Sequence, residues 1–345
     1  MQNRALRGPR MIKSWKVIVF LLSILVMSWT MDPAARLRAA EVGTARTPGT
    51  KLRLGLPYGT IVYSTYFLAR EMGFYKDEGL DMEIIHVTSV TGLQALLAGD
   101  LQFVGAGTTP INAALRGAKL KVVFVAVDRP EFDLYVNPKI RTFSDLKGKS
   151  IVVSGIGALT DRLLRELLQK NGVGPTDVVV RAMGSAELRY QALVKDAVDG
   201  SLLAPPHNFR AETDGFRKLA FLGDFLQATS ASIAITENFK SADADLVFRF
   251  VRASLRGIYF YKQNREAALR FIMKFLGIQD KTLAEKSYGF HLTSLTSDGA
   301  ISEELMRRTI EDSKAAMKSS QELVPSEIFD FSFTGKAAKE LAKNR

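Results

Sequence analysis

The chain has no cysteine among its 345 residues. That absence excludes disulfides, a lipoprotein anchor, thiolate metal sites and cysteine nucleophiles. Histidine is nearly as scarce, and His86, His207 and His291 stand too far apart for a metal-ligand spacing. Structural or surface roles are expected of His86 and His291. His207 follows Pro205-Pro206 at an expected strand end, so it is kept as a site candidate beside the plainer alternative of a surface loop residue. The chain also lacks a glycine-lysine phosphate loop, a serine in a nucleophile elbow and a pair of carboxylates in a catalytic setting. A dinucleotide reading of Gly155-Ile156-Gly157 fails. Thr160 stands in place of the third glycine, and Val178-Val179-Val180 occupy the region where an acid would hold a ribose. No catalytic residue, cofactor or metal is therefore expected. Solenoid repeats and low-complexity tracts are missing as well.

What is present is an ordinary globular composition, 47% hydrophobic and 24% charged, in a chain long enough for more than one domain. The net charge of +11 suggests nucleic acid until it is located. Residues 1–40 hold seven cations against Asp32 alone, which leaves only +5 for the body. Those remaining charges are scattered along helices and read as a solvated surface, so no nucleic-acid partner is expected.

Residues 1–40 read as a signal peptide with an uncertain cleavage site. A basic segment leads into 17–29, an apolar run broken only by Ser23 and Ser28 that is short for a membrane span and suits a secretory h-region. The alternative is an uncleaved membrane anchor. Residues 41–50 read as a linker.

From residue 51, strands and helices alternate, which predicts a parallel sheet covered on both faces. Strands are expected at 51–56, 81–87, 101–104 and 121–127. Between them, Leu93, Leu96 and Leu97 mark one helix face and Gly99 its stop, and a helix opens at Pro110 with Thr109 as its cap. Residues 128–137 mix charge with aromatics and read as the chain leaving the first lobe. A second series follows: strands at 150–154, 177–181, 201–204 and 218–222, with a helix at 160–170 placing Leu163, Leu164, Leu167 and Leu168 on one face. Residues 231–235 read as a strand returning to the first lobe. Beyond about 242 the chain is helical, with Val247, Phe248, Val251, Leu255 and Ile258 at helical spacing and further segments near 265–276, 280–290 and 301–317.

Each lobe thus ends a strand in a glycine turn rich in hydroxyls and then starts a helix: Gly107, Thr108 and Thr109 in one, Ser154, Gly157 and Thr160 in the other. Helix starts at strand ends bind ligands, although either turn alone is equally consistent with tight geometry. Tyr58, Thr60 and Tyr63 after the first strand, and Pro205 with His207 in the second lobe, complete the candidate set. Asp128 and Arg129 could read ligand charge or pair across the gap between lobes.

The order of pieces resembles the periplasmic solute-binding proteins of ABC importers in the nitrate, sulfonate and bicarbonate group, which includes thiamine-precursor binders. The resemblance spans about 51–320. It is carried by Gly73-Phe74-Tyr75-Lys76-Asp77-Glu78-Gly79-Leu80, Leu96-Leu97-Ala98-Gly99-Asp100-Leu101-Gln102-Phe103, Gly117-Ala118-Lys119-Leu120-Lys121-Val122-Val123, Asp145-Leu146-Lys147-Gly148-Lys149 and Val198-Asp199-Gly200-Ser201-Leu202-Leu203-Ala204-Pro205-Pro206. It implies a type 2 periplasmic-binding-protein fold: two α/β lobes joined by two crossovers, with a helical C-terminal part, closing on one small ligand. Residues 51–137 and 231–345 would form the first lobe and 138–230 the second. It also implies a periplasmic monomer that captures a small organic or inorganic solute and delivers it to an ABC permease in the membrane. Ligand loops would fall at 58–63, 107–109, 154–160 and 204–207. Some relatives are enzymes that make a thiamine pyrimidine with a cysteine-rich motif, which this chain lacks. An enzyme of the same fold acting on a pyrimidine and a membrane-anchored sensor domain are the alternatives.

Both tryptophans, Trp15 and Trp29, lie in the leader. Protein recovered from the export compartment after cleavage should therefore emit from tyrosine only. Tryptophan emission from that material would contradict cleavage.

Overall fold

The computed structural model describes residues 49–57, 61–174, 176–226 and 229–343. The leader, most of the linker, and the site candidates Tyr58 and Thr60 lie outside the described residues.

Two five-stranded sheets organise the chain. The first takes β1 (Thr50–Leu56), β2 (Leu80–His86), β3 (Phe103–Gly105), β4 (Leu120–Val125) and β10 (Ser232–Thr236) in the order β2-β1-β3-β10-β4. The second takes β5 (Asp133–Val136), β6 (Ser150–Val153), β7 (Val179–Ala182), β8 (Gly200–Leu203) and β9 (Arg217–Phe221) in the order β7-β6-β8-β5-β9. Alternate residues feed opposite faces. Phe103, Val123 and Ile233 join one buried cluster, and Val104, Val122 and Ala234 join another across the sheet. In the second sheet Leu134, Val153 and Leu202 oppose Tyr135, Val152 and Leu203. Both sheets are thus covered on two faces, as expected of strands that read as continuous apolar runs.

The sheets are mixed rather than purely parallel. β10 runs antiparallel to β3 and β4, and β5 runs antiparallel to β8 and β9. Each is the strand by which the chain enters a sheet from the other lobe. A strand arriving from the side where its neighbours end must run against them.

Placing β5 in the second sheet also corrects the lobe boundary expected after residue 137. The crossing falls at 126–132, because Leu134 and Val136 already pack in the second lobe's core. Charge hid this strand. Asp133 is fully buried, accepting a hydrogen bond from Asn208 Nδ2 at 2.8 Å and pairing with Lys218 Nζ at 2.9 Å.

Helices α1 (Ser64–Glu71), α2 (Phe74–Asp77), α3 (Ser89–Ala98) and α4 (Thr109–Ala114) belong to the first sheet; α5 (Leu159–Lys170), α6 (Ala186–Val194) and α7 (His207–Thr213) belong to the second. Gly99 closes α3 at φ 86°, as its position predicts. Leu93 and Leu96 are buried, but Leu97 is 51% exposed. The long α9 (Ala244–Gln263) follows the short α8 (Glu237–Ala242) and buries its whole expected stripe from Val247 to Ile258 against α1 and α2. The chain continues through α10 (Arg265–Leu276), α11 (Lys281–Leu292), α12 (Glu303–Met317), α13 (Pro325–Ile328) and α14 (Ser332–Lys343). The last of these packs Phe333, Ala338 and Leu341 on the first-lobe core.

The two crossovers bond to each other, Ala126 N to Ala231 O at 3.2 Å and Ser230 N to Val127 O at 3.0 Å. Two neighbouring strands of chain thereby join the lobes at one edge. Among the described helices none is long and apolar enough to cross a membrane.

Leu167 on α5 is fully buried in the second-lobe core. Leu167→Ala should lower the unfolding free energy by about 2–5 kcal/mol, measured by urea denaturation.

Candidate functional site

A cleft of about 1190 Å³ opens between the two sheets where their parallel strands end. From the first lobe, β3 delivers Gly105 against the ring of Tyr63. A Cβ there would sit 2.7 Å from Tyr63 Cε1 and 2.4 Å from Leu56 Cδ2, so only glycine lets the ring pack. Tyr63 is buried and bonds to the Gly107 backbone, and burial pushes its hydroxyl pKa well up. Gly107 takes φ 54°, and its carbonyl accepts from Ser232 Oγ at 2.5 Å.

The cap of α4 falls on Thr108 rather than Thr109, and it makes no side-chain cap bond. Its hydroxyl is engaged elsewhere, accepting from Arg162 Nη2 of the other lobe. Thr109 lines the cleft beside it.

The second lobe's turn is also internally satisfied. Thr160 Oγ1 accepts from Ser154 N at 3.0 Å and pairs with Ser154 Oγ at 2.6 Å. Gly157, at φ 74°, donates its amide to Asp161 Oδ2 at 2.8 Å, and Asp161 Oδ1 accepts from Arg165 Nε at 2.8 Å. The amide that this turn seemed to offer a ligand is thus closed by its own helix.

Pro205 and His207 follow β8 into the same cleft. His207 stacks on Tyr190, ring centroids 5.7 Å apart, with Nδ1 3.5 Å from Glu187. Burial lowers its pKa below 6.5, so the ring is neutral at neutral pH.

Tyr63, Gly107, Thr108, Thr109, Ser154, Gly157, Thr160, Pro205 and His207 therefore line one cavity. Asp128 and Arg129 do not. They line a separate pocket of about 400 Å³ with Thr296 and Asp298, because Asp128 N bonds to Ser294 O and turns this pair toward the loop after α11. Burial raises the Asp128 carboxyl pKa there. The other two histidines are structural. His86 stacks on Phe67 at 5.7 Å, and the fully buried His291 meets Glu131 on the first crossover at 2.6 Å.

A third strand–turn–helix end was missed in the sequence. After β7, Gly184 leads to Ser185, which caps α6 by accepting from Leu188 N; Glu187 and Arg189 follow, all on the cleft wall. Gly184-Ser185 repeats the signal used for the other turns, but it follows a strand, Val179–Ala182, with no fully buried residue, which gives that signal little contrast.

With the geometry in hand, comparison with known proteins gives the family. The NMT1/THI5-like family model matches residues 61–268. The chain belongs to this family. Within and around the NMT1/THI5-like group, the riboflavin-binding protein RibY of Chloroflexus aurantiacus is 25% identical over 321 residues, spanning 87% of this chain and 90% of that protein. A solved structure from Bordetella bronchiseptica superposes with a TM-score of 0.75 at 19% identity, covering 86% of this chain and 99% of that one. The alkanesulfonate-binding protein SsuA from Xanthomonas axonopodis pv. citri, bound to MOPS, gives 0.68 at 21% identity, covering 82% and 100%. The desulfurization enzyme DSZB also shares the fold, at 0.62 and 15% identity, covering 86% and 100%. The type 2 periplasmic-binding architecture expected for the NMT1/THI5-like chain is thus present, with its two lobes and two crossovers.

Two outcomes follow from this geometry. Thr160→Val removes the acceptor of Ser154 and should cost about 1–3 kcal/mol of unfolding free energy in urea titration. For His207 the folded pKa lies below the unfolded one. The unfolded state binds more protons in that window, so the stability from the neutral ring is full above about pH 6.5 and is lost as pH falls. The stability difference between the wild type and His207→Gln should therefore shrink on acidification below pH 6.5 and stay level above it.

Proposed function

We propose that this protein is the exported solute-binding component of an ABC importer. It works as a monomer outside the cytoplasmic membrane, captures a small organic solute between its lobes and presents the closed form to a membrane permease. The observation that carries this reading is the convergence of strand ends and helix starts from two separate sheets on one cleft, with both crossovers bonded together at one edge. Such a pair of linkers permits rotation of one lobe against the other, and closure would desolvate whatever sits between them. The cleft is lined mainly by apolar groups, among them Val62, Leu93, Phe132 and Leu159, with hydroxyls at its turns. That lining suits an organic solute better than a bare inorganic ion. The riboflavin-binding and alkanesulfonate-binding proteins that resemble this chain take organic molecules, by their names.

An enzyme of the same fold is the second reading, favoured by the likeness to DSZB. The two readings part in one experiment. Protein isolated from the export compartment and unfolded in a native mass spectrometer should release an intact solute. The solute, added back at 100 times its Kd, should raise stability by about 2.7 kcal/mol and reduce the radius of gyration in small-angle scattering. Steady chemical conversion of that solute would overturn the transport reading.

A further inference from the structure

The polar face of α5 meets the other lobe. Arg162, Glu166 and Lys170 recur at four-residue spacing on that face, opposite the four leucines buried in the second-lobe core. Across from them stands α12 of the first lobe, which shares a buried cluster with α4 through Ile111, Leu115, Leu305 and Ile310. Arg308 of α12 pairs with Glu166 at 2.7 Å, and Lys170 holds the same carboxylate from 3.4 Å. Beside Arg308, Thr309 Oγ1 lies 3.0 Å from Thr229 Oγ1 on the second crossover, so this part of the seam sits at the joint.

Arg162 reaches further. Its Nη2 donates to the hydroxyl of Thr108, a residue of the first-lobe turn on the cleft wall. Nε is buried with no partner among the described residues. Burial lowers the guanidinium pKa, with Asp312 and then Glu166 opposing the shift. Thr108 is buried at the start of α4 and makes no side-chain cap bond there. The amides of that start are met by the chain itself, Thr109 N by Ala106 O at 3.0 Å and Ile111 N by Thr108 O at 3.1 Å, while Pro110 has none. The bond that this hydroxyl makes crosses to the second lobe.

A guanidinium withdrawn from water for one neutral hydroxyl, with a buried Nε left over, adds little to the stability of either lobe. Parting the lobes would return it to solvent. The bond therefore acts on the relation between the lobes and on Thr108. A hydroxyl oxygen that accepts from a cation is held in place and keeps its own proton to donate.

We infer that Arg162 is a positioning residue of the cleft, a clasp from the second lobe that holds the Thr108 turn of the first in the closed arrangement. Closure of the lobes and placement of residues 107–109 are then one event. This rests on the solute-binding reading and adds to it the residue that links the two lobes at the site.

The chain has no cysteine, so Ala98→Cys on α3 and Lys195→Cys after α6, both exposed and clear of the cleft lining, accept a pair of spin labels. Pulsed dipolar spectroscopy then reads the separation of the lobes in the mature protein, as isolated and again after dialysis from urea has removed any solute. The wild type should show the short separation of the structure in at least one preparation. There, Arg162→Met and Thr108→Val should each lower the ratio of short to long separations about tenfold, and the double variant should go no lower. Arg162→Lys, which keeps the charge but loses the fork, should fall between. If Arg162→Met does not fold, Thr108→Val, which keeps the side-chain shape, decides. Unchanged distributions in both variants, additive losses, or a wild type that never shows the short separation overturn the clasp and leave solute capture standing. Conversion of the released solute would instead strike at the transport reading beneath it.

Discussion

The structure depends on how the chain passes between its two sheets. β4 runs toward the cleft, and the chain crosses at 126–132 and enters the second sheet from the cleft side. β9 then runs toward the cleft and returns through the segment before β10. Entry from that side makes β5 and β10 antiparallel to their neighbours and sets the ends of the remaining strands facing one another. Because the two crossing segments bond to each other, the backbone joins the lobes along one narrow seam. Side chains add further ties between the lobes, among them Arg308 to Glu166 at 2.7 Å, Lys286 to Glu212 at 3.1 Å, Arg162 to Thr108, and the ring of Phe290 against Phe209 and Phe221. The first two are half-exposed pairs of small individual worth.

Much of this was legible in the residues. The α9 stripe, the four leucines of α5, the Gly99 stop and the return of the chain at β10 each rest on local spacing, and local spacing survives folding. What the residues did not show was a matter of tertiary context. Asp133 made β5 look like a linker, because its partners Asn208 and Lys218 come from 75 and 85 positions later in the chain. The reversed strands carry no mark of direction in their composition. Leu97 shares a periodic apolar face with Leu93, yet Leu93 packs in the core while Leu97 stands exposed on the cleft wall.

The site divides the same way. Its hydroxyl turns were found because glycine, serine and threonine at strand ends announce themselves, and the structure brings them to one cavity. Their role shifts once partners are known: Thr160 braces Ser154, Asp161 closes Gly157, and Thr108 holds Arg162. These groups shape the walls of the cleft, and Arg189, held by the Met183, Gly184 and Leu202 carbonyls, braces the turn after β7 against β8. Asp128 and Arg129 sit at a strand end too, but the loop after α11 captures them. Strand-end position is therefore not sufficient for a place in this cleft.

The central claim is that a single solute touches both lobes at once. Hydrogen exchange of the mature protein, with and without the solute released from it, tests this directly. The account predicts that bound solute slows exchange together at 105–114 in the first lobe and at 184–190 in the second. Protection confined to one lobe, or centred on the Asp128 pocket, would contradict it.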